Sequence, residues 1–263
     1  MAEFPWARIH RHGANRGGGI FLTSQLVVTA AHCLDGVRVG HEADAVCVSL
    51  GHGTPIPAQL VERVDTNDLA LLKLTQPIGL SARLPLVSPC RRGDEWFAPA
   101  RPTTSDPELD GAVTATVPYT CVAGGLIQAV QLTTQTPLGH YEGYSGGPVF
   151  LSPEDANKVI GLLIEQYPDR IDPDRATNTL FAAAIQGVME QFDSLRSAYL
   201  IRTLMFENLV PARRPVPDVN WADAENVVGW HGLFDVVEPE VRSLHQALVS
   251  KWATRQGDET GET

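Results

Sequence analysis

The stretch GHYEGYSGGPVF, residues 139–150, decides how this chain is read. Ser145 stands between Tyr144 and the pair Gly146-Gly147, and Pro148, Val149 and Phe150 come directly after. Gly-Ser-Gly clusters serve tight turns more often than chemistry, so a turn is the plain reading. The pattern also fits G-x-S-x-G, which in the α/β-hydrolase arrangement lies between a strand and a helix. The residues after Ser145 read as a strand, and that arrangement is excluded. A nucleophilic serine in an all-β setting needs a histidine to take its proton and an acid to orient the histidine. Both must be sought elsewhere in the chain.

Upstream stands LVVTAAHCL, residues 26–34, an apolar strand that ends in small residues and then presents His32. Further on is DTNDLALLKL, residues 65–74, in which Asp68 opens an apolar strand and Asp65 is the competing acid. Taken alone, His32 reads as a structural or solvated residue and Asp68 as a strand-start residue. Their conjunction with Ser145 reads differently. Histidine, aspartate and serine, in that order and each at a strand edge, form one of the known orders of a nucleophilic triad.

The rest of the chain fits an all-β body. Short apolar runs at 20–22, 26–29, 45–50, 58–64 and 69–74 are bounded by Gly, Pro, Asn and Asp and predict closely spaced antiparallel strands. The segment SPCRRGDEWFAPARPTTSDPELDG reads as a polar linker, after which strands are expected at 112–117, 126–133, 148–151, 159–165 and 180–185. From Gln186 the apolar spacing turns helical, PARRPVPDV interrupts it, VEPEVRSLHQALVSKWATR predicts a second amphipathic helix, and the polar residues 254–263 predict disorder. The 263 residues suffice for a full core, and no window is apolar enough to span a bilayer. A formal charge of −11, with no basic run longer than a pair such as Arg213-Arg214, argues against nucleic acid as a partner. The four cysteines, Cys33, Cys47, Cys90 and Cys121, lack C-x-x-C spacing and are expected to be unpaired, packing as small hydrophobes. The start MAEFPWARIHRHG shows no signal-peptide pattern, and a reducing, cytoplasmic location is expected.

TAAHC, NDLALLKL and GYSGGPV together resemble the trypsin-like serine peptidase family over roughly residues 1–192. The resemblance implies a chymotrypsin-like fold of two antiparallel six-stranded β-barrels, approximately 1–90 and 110–190, in a peptidase domain of residues 1–193. A C-terminal α-helical extension over 194–253 would follow. It implies Ser145 as nucleophile, His32 as general base and Asp68 as its orienting acid, chosen over Asp65 because it directly precedes the strand. It also implies an oxyanion hole made by the backbone N–H groups of Gly143 and Ser145, with no cofactor and no metal.

Departures from the family pattern carry information of their own. The digestive members place an aspartate before the serine, to pair with a new N-terminus; here Tyr144 stands there, and that route of activation is not expected. The family's disulfide partner for the cysteine after the histidine falls on Gly17, so Cys33 has no mate. Trypsins place an acid six residues before the serine, where this chain has Gly139, so a preference for cutting after Arg or Lys is not expected unless Glu165 restores it. His140 and Glu142 lie near the same pocket, either as substrate contacts or as solvated loop residues. The variant is similar to peptidase domains of bacterial conflict and defence systems. With no activating cleavage expected, control by a protein partner is expected instead, and the helical stretches after residue 194 either form its docking surface or simply cover barrel surface. Two other functions share the same residues: an inactive peptide-binding pseudoprotease, and an esterase with the same triad.

Overall fold

A computed structural model of the chain describes residues 6–41, 46–78, 86–152, 158–168, 176–193 and 195. The expected helices of the 194–253 extension and the tail at 254–263 lie outside them, Leu195 apart. The first strands are β1 (Trp6–Arg11), β2 (Ala14–Phe21), β3 (Leu26–Ala30), β4 (Val46–Leu50), β5 (Ile56–Val64) and β6 (Leu69–Leu74). They close into an antiparallel barrel of order β1-β2-β3-β6-β5-β4. The second set is β8 (Glu95–Ala98), β9 (Leu109–Thr120), β10 (Leu126–Thr134), β11 (Pro148–Leu151), β12 (Lys158–Pro168) and β13 (Ala176–Ala184). It runs β11-β8-β9-β10-β13-β12 and closes through β11–β12, while the short β7 (Leu86–Val87) adds in parallel to β12. The two barrels have one topology. Each is a pair of three-strand meanders, joined by β1–β4 and β3–β6 in the first and by β8–β11 and β10–β13 in the second.

The strand LALLKL shows why its sequence reads as apolar without clean alternation. Ala70, Leu72 and Leu74 point into the first barrel with Ile9, Phe21, Val27 and Leu60. Leu69 and Leu71 face the opposite way, into a layer with Val28, Phe150, Leu162, Ile164 and Phe181, the last four of them on strands of the second barrel. A strand buried on both faces must be apolar throughout. Full burial of each such leucine contributes roughly 1.5–3 kcal/mol. The second barrel has its own interior of Trp96, Leu109, Leu132, Val149, Leu163 and Leu180. A single helix, α1 (Ile185–Gln191), comes after β13 among the described residues and buries Ile185, Val188 and Met189.

Three strands stand where the sequence predicts none: β1, the two-residue β7 and β8. In β1, Trp6, Ala7 and Ile9 are buried among half-exposed polar residues, which breaks any apolar run. β8 lies inside the stretch that reads as a linker: its EWFA is flanked by turns and prolines, yet Trp96 and Ala98 are buried in the second barrel.

Candidate active site

His32 stands where β3 ends. The β3–β6 ladder stops at the pair Ala30–Leu69, and the chain then enters a single 3-10 turn, Ala31–Leu34. Asp68 is the residue before Leu69 on the partner strand, so the ladder itself brings the two together. The Ala31 amide donates to the Asp68 carbonyl at 3.0 Å, and the His32 amide donates to Asp68 Oδ1 at 2.9 Å. The other carboxylate oxygen, Oδ2, lies 2.6 Å from His32 Nδ1. Asp68 adopts the left-handed conformation, with φ 54° and ψ 43°, in which aspartate is among the few non-glycine residues accepted. Such strain clusters at functional sites. Asp65, the competing acid, instead pairs with Arg63 on the surface.

The Asp68 carboxylate is nearly buried and the imidazole about half exposed, with side-chain exposures of 10% and 45%. The hydrogen bond that His32 donates to Asp68, reinforced by Cys33, raises the His32 pKa above its usual 6.5 against the opposing effect of burial. With its proton on Nδ1 toward Asp68, a neutral His32 presents the Nε2 lone pair outward.

Ser145 reaches the site from the second barrel, on the loop that leads into β11. Its position is set by backbone. The Gly18 amide donates to the Ser145 carbonyl at 2.8 Å, and the Gly146 amide to the Leu163 carbonyl at 2.6 Å. This approach is possible only because both chains lack side chains there: a Cβ on Gly18 would stand 2.6 Å from Gly147 Cα, and one on Gly146 2.3 Å from the Gly18 carbonyl oxygen. The run Gly17-Gly18-Gly19 is the sequence signal for this contact, since glycines inside a strand often mark another backbone's close approach, and the motif reading passes over it. The neighbouring Gly17 lies beside Cys33, so that a Cβ there would be 2.6 Å from Cys33 Sγ. All four cysteines are free.

His32, Asp68 and Ser145 line one cleft of about 580 Å³, with His140, Glu142, Glu165 and Gln166 on its walls and Leu163, Leu180, Tyr141 and Tyr144 among its buried residues. Among the described residues no hydrogen bond joins Ser145 to His32. Catalytic pairs in unliganded enzymes often stand looser than in the working complex. Gly143 has φ +84°, a conformation that favours glycine, and its position would set a Cβ 2.9 Å from Pro102 Cγ. Tyr144 is buried, and its hydroxyl donates to the Pro107 carbonyl at 2.8 Å. Burial first, then the nearby Asp106, pushes this phenol up to about 12, so it stays a donor.

Of the expected pocket residues, His140, Glu142 and Glu165 line the cleft and Gly139 does not; nothing lies within 4 Å of a Cβ built on it. Glu165 is engaged at both oxygens. Oε1 accepts from the Val122 amide at 2.6 Å and Oε2 from the Tyr119 hydroxyl at 2.8 Å. Burial and that bond together raise the Tyr119 phenol. Sequence reasoning does not find Tyr119, nor Gln166, whose Oε1 accepts from the Tyr141 amide at 2.9 Å. Among the described residues no His, Cys, Asp and Glu side chains group as metal ligands would.

Two closed barrels with a His–Asp pair on one and a glycine-framed serine on the other define a chymotrypsin-like hydrolase architecture. The chain matches the family model of the trypsin-like peptidase domain over residues 17–162 and belongs to that family, a family of serine endopeptidases. Among solved structures it is similar to the HtrA-type protease AlgW with a decapeptide, at 18% identity and a TM-score of 0.58, covering 74% of this chain and 65% of that one. The Rv3671c protease of M. tuberculosis in its active form matches at 16% identity and a TM-score of 0.52, covering 82% and 84%. The MamO protease domain from Magnetospirillum magneticum matches at 18% identity and 0.54, covering 73% and 97%.

Proposed function

We propose that this peptidase cuts peptide bonds of a protein substrate through Ser145, His32 and Asp68. His32 Nε2 takes the proton of Ser145 Oγ as the oxygen bonds to the scissile carbonyl carbon. The carbonyl oxygen becomes an oxyanion, met by the backbone N–H groups of Gly143 and Ser145. Collapse of that intermediate breaks the C–N bond, and His32 returns its proton to the leaving amine. Water, deprotonated by the same imidazole, then releases the acyl group from Ser145. Asp68 holds the tautomer and stabilises the imidazolium. The observation that carries this reading is the 2.6 Å contact of His32 Nδ1 with Asp68 Oδ2 at the mouth of the cleft that Ser145 lines.

The substrate we infer carries an uncharged, apolar residue before the cut. An Arg or Lys side chain entering among Leu163, Leu180, Tyr141 and Tyr144 would need a carboxylate to offset its desolvation. Glu165 is turned to the Val122 amide and the Tyr119 hydroxyl, which fix it at the wall, Glu142 is solvent-exposed, and Gly139 supplies no acid. Regulation by a protein partner, within a bacterial intracellular system and in the cytoplasm, is part of the same proposal. Its support is Tyr144, which replaces the acid that cleavage-activated relatives require. Profiling new N-termini in a lysate treated with the protein or with its Ser145→Ala variant tests the reading. Cuts made only by the parent, after apolar residues, are expected; cuts confined to Arg and Lys would refute the specificity, and labelling of Ser145 by a fluorophosphonate without any cuts would refute the endopeptidase reading.

A further inference from the structure

The catalytic groups are divided between the barrels, His32 and Asp68 on the first and Ser145 on the second, so their alignment depends on whatever ties one barrel to the other. The glycine seam at Gly18 and Gly147 is one tie, on the serine side. A second lies on the acid side. The turn Asp65–Asn67, which delivers Asp68, is held by groups from outside its own barrel. The Thr66 carbonyl accepts from the Gly125 amide at 2.6 Å and from Cys121 Sγ at 3.1 Å, both at the tip of the β9–β10 hairpin. Asn67 is buried, and its Nδ2 donates to Oε1 of Gln191, the last residue of α1, at 2.9 Å. Its own Oδ1 accepts from Thr66 Oγ1 at 3.0 Å. Gly125 leaves room for this amide, since a Cβ there would stand 2.1 Å from Asn67 Oδ1. Just past the end of α1, the Asp193 amide donates to Glu62 Oε2 at 3.0 Å, so the end of the helix meets the first barrel twice.

We propose that Asn67 and Gln191 are positioning residues, whose hydrogen bond clamps the strained Asp68 turn to α1 and so aligns His32 and Asp68 with Ser145. Asp68 occupies a left-handed conformation that a free turn would leave, and the side chain directly before it is the one gripped. Release of Gln191 frees Asn67, and the Asp68 carboxylate relaxes away from His32 Nδ1. The clamp also gives anything that moves the end of α1 a direct mechanical route to the triad. This rests on the peptidase reading for its kinetic consequences but not for its structural one.

The test compares Gln191→Leu, which removes the acceptor, with Gln191→Glu, which keeps an oxygen in place, in the full chain. Loss of one such bond is expected to lower kcat by roughly three- to tenfold, with KM little changed, because alignment matters in the transition state. The lower limb of the pH profile should move to lower pH as His32 loses part of its carboxylate, and Gln191→Glu should restore both. The His32 titration followed by NMR reads the same displacement without any turnover. A Gln191→Leu variant with a lowered Tm but unchanged kcat, pH limb and His32 titration would overturn the proposal, as would a Gln191→Glu variant as impaired as Gln191→Leu. A parent protein that hydrolyses nothing, while the NMR shift persists, would instead sink the peptidase reading and leave the clamp standing.

Discussion

Replacing Gly143 by alanine separates what the serine loop needs for shape from what it supplies to chemistry. The residue sits at φ +84°, where a Cβ costs about 1–2 kcal/mol. That Cβ would also stand 2.9 Å from Pro102 Cγ, closer than real contacts allow, and 3.0 Å from Pro102 Cβ, tighter than nearly all of them. Pro102 cannot simply retreat, because Asn15 Nδ2 holds its carbonyl at 2.7 Å. Rotating the peptide to relieve the strain would turn the Gly143 N–H away from the oxyanion of the proposed mechanism. Removing one such donor costs about 2.7–4 kcal/mol of transition-state stabilisation, on the order of 10²–10³ in kcat. The donor acts on charge that appears only in the transition state, so KM should hardly move. Steady-state kinetics on a peptide identified by lysate profiling, with urea unfolding alongside, measures both consequences. Gly139→Ala serves as the control, with no heavy atom within 4 Å of its Cβ, and should be silent. A Gly143→Ala protein with full kcat and a stability lowered by about 1–3 kcal/mol would mean that the loop holds its shape under strain and that this amide is not the oxyanion donor.

Ser145→Ala, His32→Ala and Asp68→Asn should each remove nearly all hydrolysis with the fold intact by circular dichroism, leaving about 10³–10⁴-fold over water, while Asp65→Asn retains activity; the reverse result for the two acids would refute the assignment of Asp68. In the proposed mechanism His32 acts as a neutral base, and its pKa is raised by Asp68, so kcat/KM should climb with pH along a limb centred above 6.5, and any activity left in Asp68→Asn should show that limb displaced downward. The same shift makes the His–Asp pair stabilising below pH 6.5, a contribution lost as pH rises through the raised value, which urea titrations at several pH values would read. Alkylation under denaturing, non-reducing conditions should add four labels by intact mass, one for each free cysteine, and two or fewer would contradict the unpaired state.

The parts of the site that the sequence reveals are those made by neighbours in the chain. β6 (Leu69–Leu74) and β11 (Pro148–Leu151) fall where the apolar runs place them, and Asp68 and Ser145 are the residues that lead into them. The features that resist reading are made by residues far apart. Glu165 looks like a free pocket acid in LLIEQYP, and only the fold brings Tyr119 and the Val122 amide to its two oxygens. β8 hides because burial of Trp96 and Ala98 depends on β9 and β11, while its local composition is that of a loop. Asn67 is as ordinary a turn residue as the chain contains until Gln191, 124 positions away, arrives beside it.

Tyr144 shows how the same fold can hold the loop before Ser145 without a charge. In relatives activated by cleavage, an acid at this position pairs with a new amine, and the buried ion pair forms only after the chain is cut. Here a phenol enters the second barrel's core next to Tyr141, ring centroids 6.3 Å apart, and its hydroxyl reaches the Pro107 carbonyl. Burial is favourable for a neutral ring, and one hydrogen bond satisfies its only donor, so this anchor needs no second charge to offset desolvation. Pro107 belongs to the segment that also carries Pro102, against which Gly143 packs, so the Tyr144 anchor and the Gly143 turn share one support. The loop is thus fixed by groups that are present in the uncut chain. Control by a partner would then have to act on the His32–Asp68 side, where the strained acid turn depends on contacts from the β9–β10 hairpin and from the end of α1.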